Sequence, residues 1–279
     1  MGLFHQKLRN LSLITLFVVG ASACSGGSSS RFNEKNGVTT NLTKCFLPSD
    51  QGRGSFYGQW GTRPVPLVLD KDFYVSEGGR EATQIKNAVE TWNRWYRVKY
   101  GSNLFYVVGD GVGQSAGRDI PNLIDRCDQV YYTSDTTDAV GIWKIRPYGN
   151  GVNRRKACTD ADRTRTKLML DLVQGSTGWT VSSGRITGAS ILLNFDGWNV
   201  PGRSELDIES LALHELGHVL GLLHSCNGST EGFVDGTGAT NCSGANYLYK
   251  DAVMYPSLQV GQIRRILQPN DYSRVNCLY

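Results

Sequence analysis

The chain has 279 residues, 40% of them hydrophobic, with 29 Lys and Arg against 25 Asp and Glu for a formal net charge of +4. That length supports a full core within one domain. The near balance of charge gives no reason to invoke nucleic acid as a partner.

The chain opens like a secretory signal. Lys7 and Arg9 precede an apolar run from Leu11 to Val19, and Ala21-Ser22-Ala23-Cys24 follows. The run is shorter than the roughly 20 residues needed to span a bilayer. Residues 1–23 therefore read as a signal peptide. Two cuts are open: Ala21-Ser22-Ala23 is an A-x-A site, and small residues ending in Cys24 resemble a bacterial lipobox. The seven cysteines favour the second, because lipidating Cys24 leaves Cys45, Cys127, Cys158, Cys226, Cys242 and Cys277, an even set able to form three disulfides in an oxidising compartment. Residues 24–44, beginning with Ser25-Gly26-Gly27-Ser28-Ser29-Ser30, then form a lipid-anchored tether. Contact with membrane is expected through this anchor only. Removing residues 1–23 leaves 27 basic against 25 acidic residues, a net charge of +2.

Residues 45–279 read as one domain. With 33 glycines in the chain, against a usual share of about 7%, long turn-rich loops are expected. Val65–Leu69 is a strand placed at a sheet edge, or beginning there, because Pro66 cannot donate to a ladder. Ile85, Val89, Trp92 and Tyr96 recur at helical spacing and predict a helix over residues 81–96 with one face on a sheet. Leu104–Val108 is a strand candidate ending in the glycine run Gly109-Asp110-Gly111-Val112-Gly113. No helical pattern follows that run, so it is a plain turn rather than a phosphate loop, although Asp110 could hold Ca2+ in such a turn. Further strand candidates are Val130–Tyr132, Ala139–Ile145, Leu168–Val173 and Ile186–Phe195. The eight basic residues between Lys144 and Lys167 lack interleaved aromatics and read as a solvated loop.

The next element carries the chemistry. Ser204 is the expected cap, with Glu205 and Asp207 in the first turn, and the helix is apolar on most sides, as befits an interior element. Within it lies His214-Glu-Leu-Gly-His-Val-Leu-Gly-Leu-Leu-His224. His214 and His218 are one turn apart on one helix face and can converge on one metal ion. Glu215, beside the first, is placed to act as a general base on metal-activated water without being a ligand. Gly221 can take the left-handed conformation that ends a helix, which returns His224 to the metal. Three imidazoles leave a fourth position open, as in a catalytic Zn2+ site. A bare HExxH arises by chance on helices. Here three of the chain's four histidines sit in one motif, which favours the zinc reading.

Residues 225–250 read as a long loop bracketed by Cys226 and Cys242, the most readily assigned disulfide. Such a bridge constrains the loop by roughly 3 kcal/mol on the chain-entropy model. Residues 267–279 close the domain with a short helix starting near Pro269.

Met254, thirty residues beyond His224, lies in Ala252-Val253-Met254-Tyr255-Pro256-Ser257. With the histidine motif, this resembles the metzincin metallopeptidases and, within them, the matrixins, the matrix-metalloproteinase-like family. Ser225 after the third histidine, Ile186–Asn194 and Asp271–Tyr279 are similar to the same pattern. The resemblance implies an α+β fold: a twisted mixed sheet of about five strands, a central zinc-binding helix, and two further helices. It also implies that Met254 floors the metal site and that Tyr255 and Pro256 help form the wall of the pocket for the residue after the scissile bond. No PRCGxPD cysteine-switch motif is present, and no histidines remain for a second zinc. With the lipobox-like start, the chain resembles a bacterial matrixin-type lipoprotein exported to the outer membrane or cell surface. The expectation is a monomeric zinc metalloendopeptidase acting on protein or peptide substrates, with Glu215 as base and acid. The competing class is an inactive zinc-containing surface binding module or adhesin.

Overall fold

The structure is a computed structural model that describes residues 58–109, 139–145, 174–195, 207–226, 241–259 and 261–279. The described strands are β1 (Gln59–Trp60), β2 (Val65–Leu69), β3 (Phe105–Val107), β4 (Val140–Ile145), β5 (Gly175–Ser182) and β6 (Arg185–Asn194). They form one sheet in the order β1-β6-β4-β2-β3, all parallel, with β5 antiparallel on β6. The described helices are α1 (Asp72–Val75), α2 (Arg80–Tyr100), α3 (Ile208–Val219), α4 (Tyr247–Lys250) and α5 (Pro269–Leu278). A mostly parallel mixed sheet with few helices is compatible with the α+β class expected. Among the described residues no helix is long and apolar enough to cross a membrane.

The helical stripe of α2 is buried as its spacing requires: Ile85 and Trp92 are fully enclosed, with Val89 and Tyr96 nearly so. Each such side chain contributes roughly 2 kcal/mol by leaving water. The helix runs past the predicted residues 81–96, because Gly79 and Gly101 set its two ends in the left-handed conformation and Gly101 N–H closes the last turn on Arg97 O. Asn93 ties α2 to the sheet: its Oδ1 accepts from Leu104 and Phe105 N–H, and its Nδ2 donates to Phe105 O. Trp92 reaches the other way, its indole N–H donating to Leu213 O of α3 at 3.1 Å. The histidine-bearing helix α3 is thereby docked on α2 on one side and on β5 and β6 on the other.

Several sequence expectations are corrected. β2 is not an edge strand, since it pairs with both β3 and β4. Pro66 is tolerated because Val65 N–H serves the β3 side, and pairing with β4 begins only at Leu67. Lys144 does not belong to a solvated loop. It is buried on β4, its Nζ 2.5 Å from Glu81 Oε2 and over the Phe195 ring. β5 was not anticipated. It is joined to β6 by Ser183 and Gly184, both at positive φ, the backbone of a tight hairpin turn. Val130–Tyr132, Leu168–Val173, Asp110 and the remaining basic residues from Arg146 to Lys167 lie outside the described residues, as do residues 1–57.

Candidate metal centre

The helix that carries the motif is capped by Asp207, which the sequence places in its first turn, and the expected cap Ser204 lies outside the described residues. Asp207 accepts from Ser210 N–H at 2.9 Å and is held in turn by Arg265. Every residue from Glu209 to Val219 is buried. An apolar helix enclosed in this way must satisfy its last carbonyls within the protein, and side chains from distant elements do so. Trp179 of β5 donates to His218 O at 2.8 Å, Trp60 to Val219 O at 2.8 Å and Tyr279 Oη to Leu220 O at 2.9 Å.

The helix ends where Gly221 turns. Its φ is +94°, Gly221 N–H donates to His218 O and Leu222 N–H to Gly217 O. This is the paired Schellman pattern of a glycine-terminated helix. A side chain here would also collide with Gly58 O, 1.9 Å from the position of a Cβ. The turn brings His224 back, and Arg274 fixes its segment by donating to Leu223 O at 2.9 Å and His224 O at 3.3 Å.

His214, His218 and His224 form one group whose ligand atoms all lie within 4.8 Å of one another, the only group of three or more metal-ligating side chains found among the described residues. His214 Nδ1–H donates to Val253 O at 2.6 Å and His218 Nδ1–H to Leu222 O at 2.7 Å. These bonds select the tautomer that presents Nε2 to the group. His214 Nε2 is buried with no hydrogen-bond partner among the described residues, and His218 Nε2 and His224 Nε2 are 3.2 Å apart. Buried polar nitrogens are ordinarily paired, so converging nitrogens of this kind fit a shared cation. Burial, then the neighbouring His224, pushes the His214 imidazole down to about 3, with Arg264 adding in the same direction. Burial likewise holds His218 well below its ordinary value. Both rings are neutral at neutral pH, as a ligand must be.

Glu215 is fully buried and stands outside the three-histidine group, its Oε2 accepting from Thr177 Oγ1–H of β5 at 2.6 Å. Beneath the helix, Met254 is fully buried, and its Sδ lies 2.2 Å from where a Cβ on Gly217 would be. The turn around Met254 is held by Asp271, whose carboxylate accepts from Val253, Met254 and Gln268 N–H at 3.0, 3.1 and 2.8 Å. Burial raises the Asp271 pKa against those three bonds. Ser225 joins the same turn to the segment after His224: its N–H donates to Met254 O, and its hydroxyl to Tyr249 O. Tyr255 is half-buried beneath the Arg264 guanidinium, and Pro256 is buried.

Of the residues singled out in sequence, His214, Glu215, His218, Gly221, His224 and Met254 come together here, with Tyr255 and Pro256 next in the chain. Cys226 and Cys242 are disulfide-bonded, with Cα atoms 5.0 Å apart. Cys24 lies outside the described residues. Thr177, Trp179 and Asp271 were not identified as site residues, for each acts through a contact distant in sequence. Only Asp271, at the start of the closing helix, lay inside a segment already singled out. No protein-family model matches the chain, and no curated protein matches it in sequence.

Proposed function

We propose that the chain is a zinc-dependent metalloendopeptidase of the matrixin type with a metzincin fold, hydrolysing peptide bonds of extracytoplasmic proteins. The observation that carries this reading is the convergence of three imidazoles, one with an orphaned buried nitrogen, with the buried side chain of Glu215, next in sequence to His214, outside the group. The fold reading is supported by the antiparallel strand β5 alongside α3 and by Met254 packed beneath the helix. The Cys226–Cys242 disulfide fits an oxidising compartment, in line with export and a lipid anchor at Cys24.

His214, His218 and His224 would hold the ion. Zinc held by three imidazoles supplies a Lewis acid that activates water near neutral pH and polarises a carbonyl. The Glu215 carboxylate takes one proton from the attacking water and gives it to the leaving amine as the C–N bond breaks. Val253 O and Leu222 O keep the two helix imidazoles in the ligating tautomer. Asp271 holds the turn that sets Met254 beneath the helix as the floor of the site, and Tyr255 and Pro256 form the wall for the residue after the scissile bond.

The test uses the mature chain from residue 25, as wild type, after chelation, and as Glu215→Gln, each incubated with a peptide library. Cleavage by wild type alone is expected. Bound zinc without cleavage by wild type would favour an inactive binding module, and cleavage by all three samples would place the activity elsewhere.

A further inference from the structure

Strand β5 brings two successive same-face residues against the middle of α3. At Gly175 a Cβ would lie 2.5 Å from Glu215 Oε1 and 3.0 Å from its Cδ. Two residues on, Thr177 Oγ1 is 2.6 Å from Glu215 Oε2 and 3.3 Å from Glu215 O. Both Thr177 and Glu215 are buried, at 1% and 0% exposure. One position of the strand therefore makes room for the carboxylate, and the next donates to it.

A buried carboxylate needs partners, and an O–H donor to a charged oxygen is among the stronger hydrogen bonds. Beside three imidazoles there is a competing destination, because carboxylate oxygens are themselves good zinc ligands. A glutamate that joined the ligands would fill the position water needs.

We propose that Thr177 is the positioning residue for Glu215: its hydroxyl, with the space left by Gly175, holds the carboxylate beside the three-histidine group and out of the ligand set. This rests on the peptidase reading above. Valine at 177 has the same shape without the hydroxyl, and serine keeps the hydroxyl with less packing. The pair separates hydrogen bonding from filling of space.

Wild type, Thr177→Val and Thr177→Ser are compared for metal content, for kcat and KM on a peptide that wild type cleaves, and for the visible spectrum of the cobalt-loaded protein, which reports coordination. In Thr177→Val, kcat is expected to fall about 10- to 100-fold, the cost of a misplaced catalytic group. KM should stay within about 3-fold, metal content should be unchanged, and the cobalt spectrum should shift. Thr177→Ser restores both the rate, to within about 5-fold, and the wild-type spectrum. Equal impairment of the two variants, or a Thr177→Val protein with wild-type kcat and spectrum, overturns the proposal. If Thr177→Val does not fold, Gly175→Ala displaces the same carboxylate from the other side and must lower kcat with metal retained; an unchanged kcat overturns it. If wild type cleaves nothing, the peptidase reading fails, yet the cobalt spectra still decide Thr177: a shift in valine reversed in serine upholds its role, and identical spectra refute it.

Discussion

Replacing Gly221 by alanine tests how the third histidine is delivered. The new Cβ would stand 1.9 Å from Gly58 O and 2.9 Å from Gly58 C, where non-bonded heavy atoms settle at about 3.5 Å. Both are backbone atoms, so no rotamer change relieves the contact and the chain must move by more than about 1 Å. The φ of +94° adds roughly 1 to 2 kcal/mol of strain for any L side chain. Movement also disrupts the bonds from Gly221 N–H to His218 O and from Leu222 N–H to Gly217 O, each worth about 1 kcal/mol net. Gly221→Ala should therefore lose about 3 to 4 kcal/mol in urea unfolding of the metal-free protein. Because His224 follows three residues later, zinc affinity measured against a chromophoric chelator should fall by at least about 10- to 100-fold. A loss below about 1 kcal/mol together with zinc affinity within about 3-fold of wild type would refute the close-approach argument.

Asp271→Ala removes the acceptor of three backbone N–H groups beneath the three-histidine group. At about 1 to 3 kcal/mol for each buried donor left unpaired, urea unfolding should show a loss of at least about 3 kcal/mol, and zinc affinity should drop with it. Stability within about 1 kcal/mol of wild type would mean that the turn around Met254 is held by something else. Asp70 gives a pH-dependent prediction. Burial, the largest cause, raises its carboxyl from 3.8 to about 6 against hydrogen bonds from Asp72 and Lys144 N–H. The folded pKa is above the unfolded one, so its contribution to stability is complete below about pH 3.8 and is lost as pH rises through about 6, on the order of 3 kcal/mol across the window. The carboxyl carbon resonance of Asp70 should titrate near pH 6, and a midpoint near 3.8 would contradict the burial argument.

The three-histidine group is legible because its spacing is local. His214 and His218 share a face by helical geometry alone, and Gly221 announces its own left-handed turn. Met254 gained meaning only from its position downstream of that motif. What escaped is set by contacts between distant segments. Gly175–Ser182 is mostly glycine, serine and threonine and offers no apolar alternation strong enough to mark a strand, although Ser183-Gly184 is a hairpin turn in plain view. Its identity as a strand depends on pairing with β6, and Thr177 matters only because that pairing sets it against Glu215. Asp271 reads as a helix-start residue, which it is; its second task, holding Val253 and Met254, is fixed by tertiary packing. Pro66 leaves open whether the strand lies at an edge or begins there; its missing N–H faces β4, where pairing begins one residue later, while Val65 already serves β3. Lys144 misled because a basic residue counted in a patch carries no sign of a buried partner 63 positions away.

X-ray absorption at the zinc edge of the zinc-loaded mature chain reads the coordination of the proposed three-imidazole site and its open fourth position. One zinc per chain is expected, with three nitrogen neighbours at about 2.0 to 2.1 Å and one lighter-bound oxygen, falling to two imidazoles in His224→Ala. Sulfur near about 2.3 Å, a fourth imidazole-type nitrogen, or an unaltered spectrum in His224→Ala would contradict it.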